Sequence, residues 1–334
     1  MAGPGKHNDL TDVAGLLVGH HTDRQHLSGA TVVIAPQGAV GGVDVRGSAP
    51  GTRETDLLAP QNLVEKVNAV CLCGGSVYGL AAAAGAALWL AAKGWGFPLD
   101  QGNVAPIVPA AALFDLGRGP AYVPPVTQQW GESACTAAGD GPVEQGSVGA
   151  GSGAVAGGPK GGIGSASLVL DNGLAAGALV AVNSLGSVLD PASGRPWEIG
   201  LELQGEFGPQ SRRAVVPPPP PGGEPARNTT IAVVATDAVL NKAQAMKMAQ
   251  MAQDGLARAI RPAHTMFDGD TVFCLATGRR PLPEAPGFFA APQALALNEL
   301  GAALADCLSR AIIKAVLRAE SLGGIKAFAD LPDR

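Results

Sequence analysis

The 334-residue chain has room for one large domain or two of ordinary size. Only 15% of its residues are charged and the formal net charge is −5, so the chain lacks the basic surface with which proteins bind nucleic acids or anionic membranes. Aromatic residues make up 4% of the chain, which argues against surfaces for base stacking. We therefore expect a protein that acts on small molecules rather than on nucleic acids or membranes.

The cysteine content and the N-terminal sequence predict a cytoplasmic protein. Five cysteines at irregular spacing favour buried thiols in a reducing compartment. The N-terminus lacks the apolar segment of a secretory signal. The uncharged stretch 69–92 is long enough to span a bilayer, but two glycines interrupt it, so we expect a strand and a buried helix. His20 and His21 have no neighbours at metal-ligand spacing, and we predict neither a metal ion nor a cofactor.

Short strands dominate the first third of the chain. Apolar and β-branched runs predict strands at 16–18, 31–35 and 67–72, and a further strand at 40–47 that turns back. Residues 77–92 then predict an alanine-rich helix. Its first turn carries Tyr78, which is either a core aromatic or a residue that lines a cleft. Residues 104–125 are rich in proline and predict irregular structure, with a short apolar piece at 110–114 that ends in Phe114.

Residues 146–164 are strongly enriched in glycine and contain one lysine, Lys160. A phosphate-binding loop needs Gly-Lys followed by Ser or Thr, and a dinucleotide-binding loop needs a preceding strand, so both nucleotide interpretations are weak. Two interpretations remain, a bare flexible loop or a backbone that approaches closely around Lys160. Beyond this region, 165–170 and 176–182 predict a hairpin of buried strands that ends at Asn183.

The segment 205–226 differs from the rest of the chain because it is polar and then runs through five prolines at 217–221. Such a segment is typically extended, solvated and unable to pack. It is either a linker between two domains or the loose tail of a processed precursor. Its end lies directly before Asn228 and Thr229, which favours the precursor.

Asn228, Thr229 and Thr230 lead into a buried apolar strand. Threonine favours strands and asparagine favours turns, so this can be an ordinary strand entrance. The alternative is a self-cleavage site, at which Thr229 attacks the carbonyl of Asn228 and becomes a new N-terminus. The freed α-amino group, with a pKa of about 8, then activates the neighbouring hydroxyl.

After this strand, Asp237 is placed to cap a helix that runs to about Ile260. Asp268 and Asp270 follow, on either side of a glycine, a pattern that is typical of a turn. Because strands come in runs broken by a few long helices, we predict helices packed on antiparallel-rich sheets. The remaining elements are a strand at 271–276 and an amphipathic helix at 297–315.

Six short motifs follow one another between residues 9 and 320. They are Thr-Asp-Val at 11–13, Val-Gly-His at 18–20, Gly-Gly-Ser-Val-Tyr-Gly-Leu at 74–80, Asn-Thr-Thr-Ile at 228–231, Ala-Thr-Asp-Ala at 235–238 and Asp-Gly-Asp-Thr at 268–271. In this order they resemble the DmpA family of self-processing, N-terminal-nucleophile-like aminopeptidases and amidases, which includes β-peptidyl aminopeptidases and nylon-oligomer hydrolases.

The resemblance implies an α+β fold, a four-layer α-β-β-α sandwich formed by one domain over residues 1–334. It implies cleavage into an α chain, 1–228, and a β chain, 229–334, with 205–228 as the flexible proline-rich tail of the α chain. It also implies that the αβ units associate further, commonly into a tetramer.

By the same resemblance, Thr229 is the nucleophile, and threonine at this position is typical of the nylon-oligomer branch. The family's active-site lysine falls on Lys160 and its asparagine on Asn183. The acidic pair Asp268 and Asp270 also matches the nylon-oligomer pattern. Where relatives have a tyrosine near the reaction centre, this chain has Phe114, and Tyr78 is a candidate substitute for the missing hydroxyl.

These roles imply acyl transfer in two steps, with the Thr229 amine or Lys160 as base, Asn183 as oxyanion donor and the acids as partners of an ammonium group. Two substrate classes stay open, short peptides or amino-acid amides with a free amino end, and oligomers such as those of 6-aminohexanoate. Two alternative functions also stay open. One is a glutamate N-acetyltransferase, whose Ala-Thr cleavage motif differs, and the other is a non-enzymatic binding protein hinged at 217–221.

Overall fold

The computed structural model describes residues 2–218, 228–286 and 291–334. Within these ranges the chain forms two sheets and five α-helices. The strands are β1 (Leu17–Asp23), β2 (Ser28–Val45), β3 (Gly51–Arg53), β4 (Lys66–Cys73), β5 (Phe97–Pro98), β6 (Val104–Ala105), β7 (Ala110–Ala112), β8 (Gly162–Val169), β9 (Ala175–Asn183), β10 (Thr229–Ala238) and β11 (Thr271–Arg280). The helices are α1 (Ser76–Gly79), α2 (Ala81–Ala92), α3 (Gln128–Thr136), α4 (Lys242–Ala259) and α5 (Ala294–Leu317).

The large sheet has the strand order β3-β7-β4-β2-β11-β10-β9-β8, with β1 paired to β2. Most neighbours are antiparallel, as predicted, whereas β10 with β11 and β4 with β7 are parallel. Strands β5 and β6 form a separate small sheet. The large sheet therefore places β10, the strand that begins at Thr229, between β9 and β11.

Strand β2 joins the two halves of this sheet. Its first part pairs with β1 and β4, and its last part pairs with β11. The register with β4 breaks between Ile34 and Ala39, where Gly38 has a φ of +70° that glycine adopts without a steric penalty. The prediction of a separate strand at 40–47 that turns back is therefore wrong, because a bulge bends the chain without reversing it.

Three clusters of buried apolar side chains separate four layers. Helices α4 and α5 pack on one face of β8 to β11, the opposite faces of the two sheet halves pack on each other, and α2 and α3 cover β4. Strand β10 shows the pattern directly, since Val234 lies in the first cluster and Val233 in the second. A strand covered on both faces is apolar along its covered part, as β10 is from Ile231 to Ala235. The four-layer α-β-β-α sandwich is confirmed.

The helix predicted to begin at Asp237 begins later. Asp237 belongs to β10, where its Oδ1 accepts a hydrogen bond from the Ala175 amide at 2.9 Å and its Oδ2 pairs with Arg280 at 3.0 Å. Helix α4 instead has Asn241 as its N-cap, and Asn241 and Gln244 form a reciprocal capping box. The predicted cap is therefore wrong, because a complete capping box four residues further on satisfies the free amides of the first turn.

The predicted solvated character of the segment from Gly205 is wrong for its first part. Phe207 and Val215 lie in the core under α5. Glu206 accepts hydrogen bonds from Arg310, which is 1% exposed, at 2.5 Å to Nε and 2.9 Å to Nη2. This part packs because three of its side chains find partners on the body of the protein. The prolines at 219–221 and the residues up to 227 lie outside the described residues.

None of the helices in the described ranges combines the length and the hydropathy needed to cross a bilayer. The uncharged stretch 69–92 forms most of β4 followed by α1 and α2, as predicted, although the helix is broken at Leu80.

Candidate active site

Thr229 is the first residue of β10 and is 4% exposed. Its Oγ1 lies 2.5 Å from the carbonyl oxygen of Asn228, and its Cα is paired across the sheet with that of Asn183. Successive residues of a strand point to opposite faces, so Thr230 points away from the site that Thr229 faces. Two of the predicted site residues, Thr229 and Asn183, thus lie side by side on neighbouring strands.

Thr229 opens into a cavity of about 460 Å³. Its wall is apolar apart from a serine hydroxyl, the asparagine and Thr229 itself, and no charged side chain lines it among the described residues. The lining residues are Ala49, Pro50, Gly51, Ser76, Val77, Ala112, Phe114, Asn228, Thr229, Met266 and Phe267. Phe114 is thus part of this wall, whereas Tyr78 is 53% exposed and is not.

Asp270 holds the backbone around the nucleophile. Its Oδ1 accepts a hydrogen bond from the Thr230 amide at 2.8 Å. Its Oδ2 accepts one from the His264 amide at 3.0 Å and lies 2.9 Å from Nδ1 of the same histidine. Asp270 is 2% exposed, so these bonds are shielded from water. The carboxylate thus fixes the start of β10 against the loop that precedes β11.

Asp268 has one occupied and one free carboxylate oxygen. Its Oδ2 accepts hydrogen bonds from the amide and the hydroxyl of Thr265, at 2.9 and 2.5 Å. Its Oδ1 is buried and makes no hydrogen bond with any described residue. Burial and the charge of Asp270 raise the pKa of Asp268, and the hydrogen bonds from Thr265 oppose that rise. Asp268 forms a β-bridge with Asn228, so its backbone runs beside the Asn228–Thr229 bond.

Lys160 is almost completely buried, at 1% exposure. Its Nζ donates hydrogen bonds to the carbonyls of Gly151 and Gly161, both at 2.9 Å. Burial lowers the pKa of Lys160 from 10.5 to about 7, an effect that the positive charge of Arg118 reinforces and the negative charge of Asp115 opposes. The glycine-rich region is therefore a close-packed backbone around one lysine, the second of the two predicted interpretations.

Asn183 connects Lys160 to Thr229. Its Oδ1 accepts a hydrogen bond from the Val155 amide at 3.0 Å, and Val155 forms a β-bridge with Lys160. Its Nδ2 donates to the carbonyl of Phe114 at 3.0 Å. Two hydrogen bonds thus hold the side-chain amide of Asn183, whose backbone is paired with that of Thr229.

Three residues around the site had not been singled out from the sequence. Asp115, 1% exposed, accepts a hydrogen bond from the Gly75 amide at 2.6 Å. Ser76 lines the cavity with a φ of +54°, which is unusual for a residue other than glycine. His264 contacts Asp270. The signals in the sequence were a carboxylate directly after the apolar piece at 110–114 and a serine directly after two glycines.

In the described part of the chain, no three His, Cys, Asp or Glu side chains are grouped so that they could hold a metal ion. The predicted site residues supply a hydroxyl, an amine, an amide and two carboxylates. A buried hydroxyl and a buried amine of lowered pKa are groups that nucleophilic catalysis uses.

Comparison with known proteins identifies the family to which the chain belongs. The model of peptidase family S58 matches residues 8–329. An uncharacterized aminopeptidase of Mycobacterium tuberculosis is 47% identical over 344 residues, which cover 97% of this chain and 98% of the relative. A 6-aminohexanoate-oligomer endohydrolase of a Kocuria species is 29% identical, over 91% of this chain and 84% of its own. The solved structure of a Burkholderia beta-aminopeptidase superposes with a TM-score of 0.73 at 25% identity, covering 98% and 92% of the two chains.

The sandwich fold and the sequence relatives together define an enzyme that hydrolyses amide or peptide bonds. The chain belongs to peptidase family S58, the family of DmpA, as its motifs predict.

Proposed function

We propose that the chain cleaves its own Asn228–Thr229 bond and that the freed Thr229 is the nucleophile of an amide hydrolase. The observation that carries this proposal is the contact of 2.5 Å between Thr229 Oγ1 and the Asn228 carbonyl oxygen, at the buried head of β10 and facing a cavity. A hydroxyl held against the preceding carbonyl is placed to attack its carbon.

The cleavage proceeds by acyl shift. Thr229 Oγ1 forms an ester with the Asn228 carbonyl carbon while the peptide C–N bond breaks, and water then hydrolyses the ester. The products are an α chain, 1–228, and a β chain, 229–334, which together form one domain. The new α-amine of Thr229 gains an acceptor in the free Oδ1 of Asp268.

Hydrolysis of a substrate follows the same chemistry. Thr229 attacks the substrate carbonyl, and its proton passes to its own α-amine or to Lys160, whose pKa of about 7 suits a base at neutral pH. Asn183 stabilises the oxyanion through its side-chain amide, as a donor whose loss typically lowers kcat by about 100- to 1000-fold. The amine leaves, and water releases the acyl group from Thr229.

The substrates we propose are short peptides or amino-acid amides with a free amino end. The close relatives that carry a functional name are called aminopeptidases. Oligomers of 6-aminohexanoate are the second candidate, because the cavity wall of Val77, Phe114, Met266 and Phe267 suits an aliphatic chain. Parallel assays on alanine p-nitroanilide and a linear 6-aminohexanoate oligomer separate the two. Acetyl transfer from N-acetylornithine to glutamate tests the acetyltransferase alternative.

Intact-mass analysis of the purified protein tests the cleavage. We expect two chains of roughly 23 and 11 kDa, the smaller one beginning at Thr229, and a single chain for Thr229→Ala. Thr230→Ala is the matched control and should still be cleaved, since Thr230 points away from Asn228. An active protein made of one uncut chain, as a hinged binding protein would be, contradicts the proposal.

The α and β chains remain associated in this proposal, and the αβ units assemble further, into a tetramer by resemblance to the family. Light scattering on the eluate of a sizing column measures the assembly directly.

A further inference from the structure

Asp115 is a buried carboxylate that the proposed mechanism does not use. It follows β7 in the chain, two residues after the buried Leu113, and is 1% exposed. Its Oδ1 accepts a hydrogen bond from the Gly75 amide at 2.6 Å, and its Oδ2 accepts one from the Ser28 hydroxyl at 2.8 Å. Both oxygens are thus occupied by protein donors, so Asp115 is not a ligand site.

The carboxylate lies between two turns that contribute to the active site. On one side is the turn at 74–76, whose last residue, Ser76, lines the Thr229 cavity. A methyl group on Gly74 would overlap Asp115 Oδ2, so the two are packed as closely as glycine permits. On the other side is Gly153, where an added Cβ would lie 3.0 Å from the Cβ of Asp115. Gly153 belongs to the glycine-rich region that wraps Lys160.

Two charged residues in the described ranges interact with Asp115. Lys160 interacts with it electrostatically, and Arg118 interacts with both. Burial raises the pKa of Asp115 to about 6, and the bonds from Gly75 and Ser28 oppose that rise. The carboxylate is therefore mostly ionised at neutral pH, where Lys160 changes its charge.

We infer that Asp115 is a positioning residue of the active site, which fixes the 74–76 turn against the glycine-rich region and supplies the counter-charge of Lys160. This inference rests on the proposed role of Lys160 as a base. It predicts that removal of the negative charge makes Lys160 lose its proton at lower pH. The negative charge of Asp115 raises the pKa of Lys160, so its removal should lower that pKa.

The test measures the titration of Lys160 by NMR of protein labelled with ¹³C-lysine, in the Thr229→Ala background, where activity is not needed. Lys160→Arg identifies the signal. We expect Asp115→Asn to lower the titration midpoint of Lys160 by about one pH unit. In the active enzyme, the acidic limb of the kcat/KM profile should move to lower pH by the same amount.

Two further variants keep the test decisive. Ser28→Ala retains the carboxyl group but removes a bond that favours its ionised form, so it should move the midpoint in the same direction by less. Asp140→Asn removes an exposed carboxylate and should move nothing. An unchanged Lys160 midpoint in both Asp115→Asn and Ser28→Ala overturns the inference. Failure of the proposed function appears separately, as an uncut chain or an active Thr229→Ala protein.

Discussion

The burial of Lys160 should lower the free energy of unfolding of the protein. An amine whose pKa falls from 10.5 in the unfolded chain to about 7 in the folded protein destabilises the fold at every pH at which the unfolded amine is charged. At about 1.4 kcal/mol per pKa unit, the penalty is roughly 5 kcal/mol at pH 6 and roughly 2 kcal/mol at pH 9. Between pH 7 and 10.5 the unfolded chain binds the extra proton, so stability rises with pH there.

Lys160→Met removes this penalty and also removes the donors to Gly151 and Gly161. The lost hydrogen bonds do not depend on pH in this window, so the pH dependence isolates the charge. We expect the free energy of unfolding of Thr229→Ala/Lys160→Met, relative to Thr229→Ala alone, to fall by about 3 kcal/mol between pH 6 and pH 9. Urea denaturation of the two uncut proteins at fixed concentration gives both values.

Lys247→Met is the matched control, since Lys247 is exposed on α4. It should change stability little and equally at both pH values. A Lys160→Met effect that is the same at pH 6 and pH 9 would show that Lys160 is charged in the folded protein throughout, and the assignment of Lys160 as a base would fail with it.

Two other substitutions test the contacts described above. Glu206→Gln leaves Arg310 and Lys314, each 1% exposed, without their counter-charge. It should lower the free energy of unfolding, measured by urea denaturation, by about 3 to 5 kcal/mol. The control Glu299→Gln changes an exposed residue and should have little effect. Gly269→Ala places a Cβ 2.9 Å from Thr229 Oγ1 and should slow self-cleavage by roughly 100-fold, as followed on a denaturing gel. The control Gly200→Ala adds its Cβ in open space, and this variant should be cleaved normally. Normal cleavage of Gly269→Ala would mean that the contact at Thr229 Oγ1 is not needed.

The Glu206 contact also bears on how the two proposed chains stay together. Glu206 lies before the cleavage site and Arg310 after it, so their ion pair would join the α chain to the β chain. Val215 pairs with Asp333 in the same way, by a β-bridge near the C-terminus. The proposed cleavage between 228 and 229 would therefore cut a chain whose two parts already share one core.

The features that the sequence alone determined are those that depend on residues close together in the chain. The apolar run after Thr229 had to be a buried strand, and its alternating side chains do fill two clusters. The position of Thr229 at the head of that strand followed from the run itself. The start of α4 was also present in the sequence, as Asn241 and Gln244 three residues apart, although Asp237 competed with it.

Only the tertiary structure decided which distant residues meet. Asp115 and Lys160 are 45 positions apart, and Glu206 and Arg310 are 104 apart, so no local periodicity relates them. Whether a carboxylate is solvated or buried depends on which residues pack over it. The sequence alone did not distinguish Asp115 from other loop residues, and only its burial made it the proposed counter-charge of Lys160. The same packing fixed the segment after Gly205 to the core. The local sequence pattern determines the helices and strands, whereas burial in the tertiary structure determines the charge states on which the chemistry of this site depends.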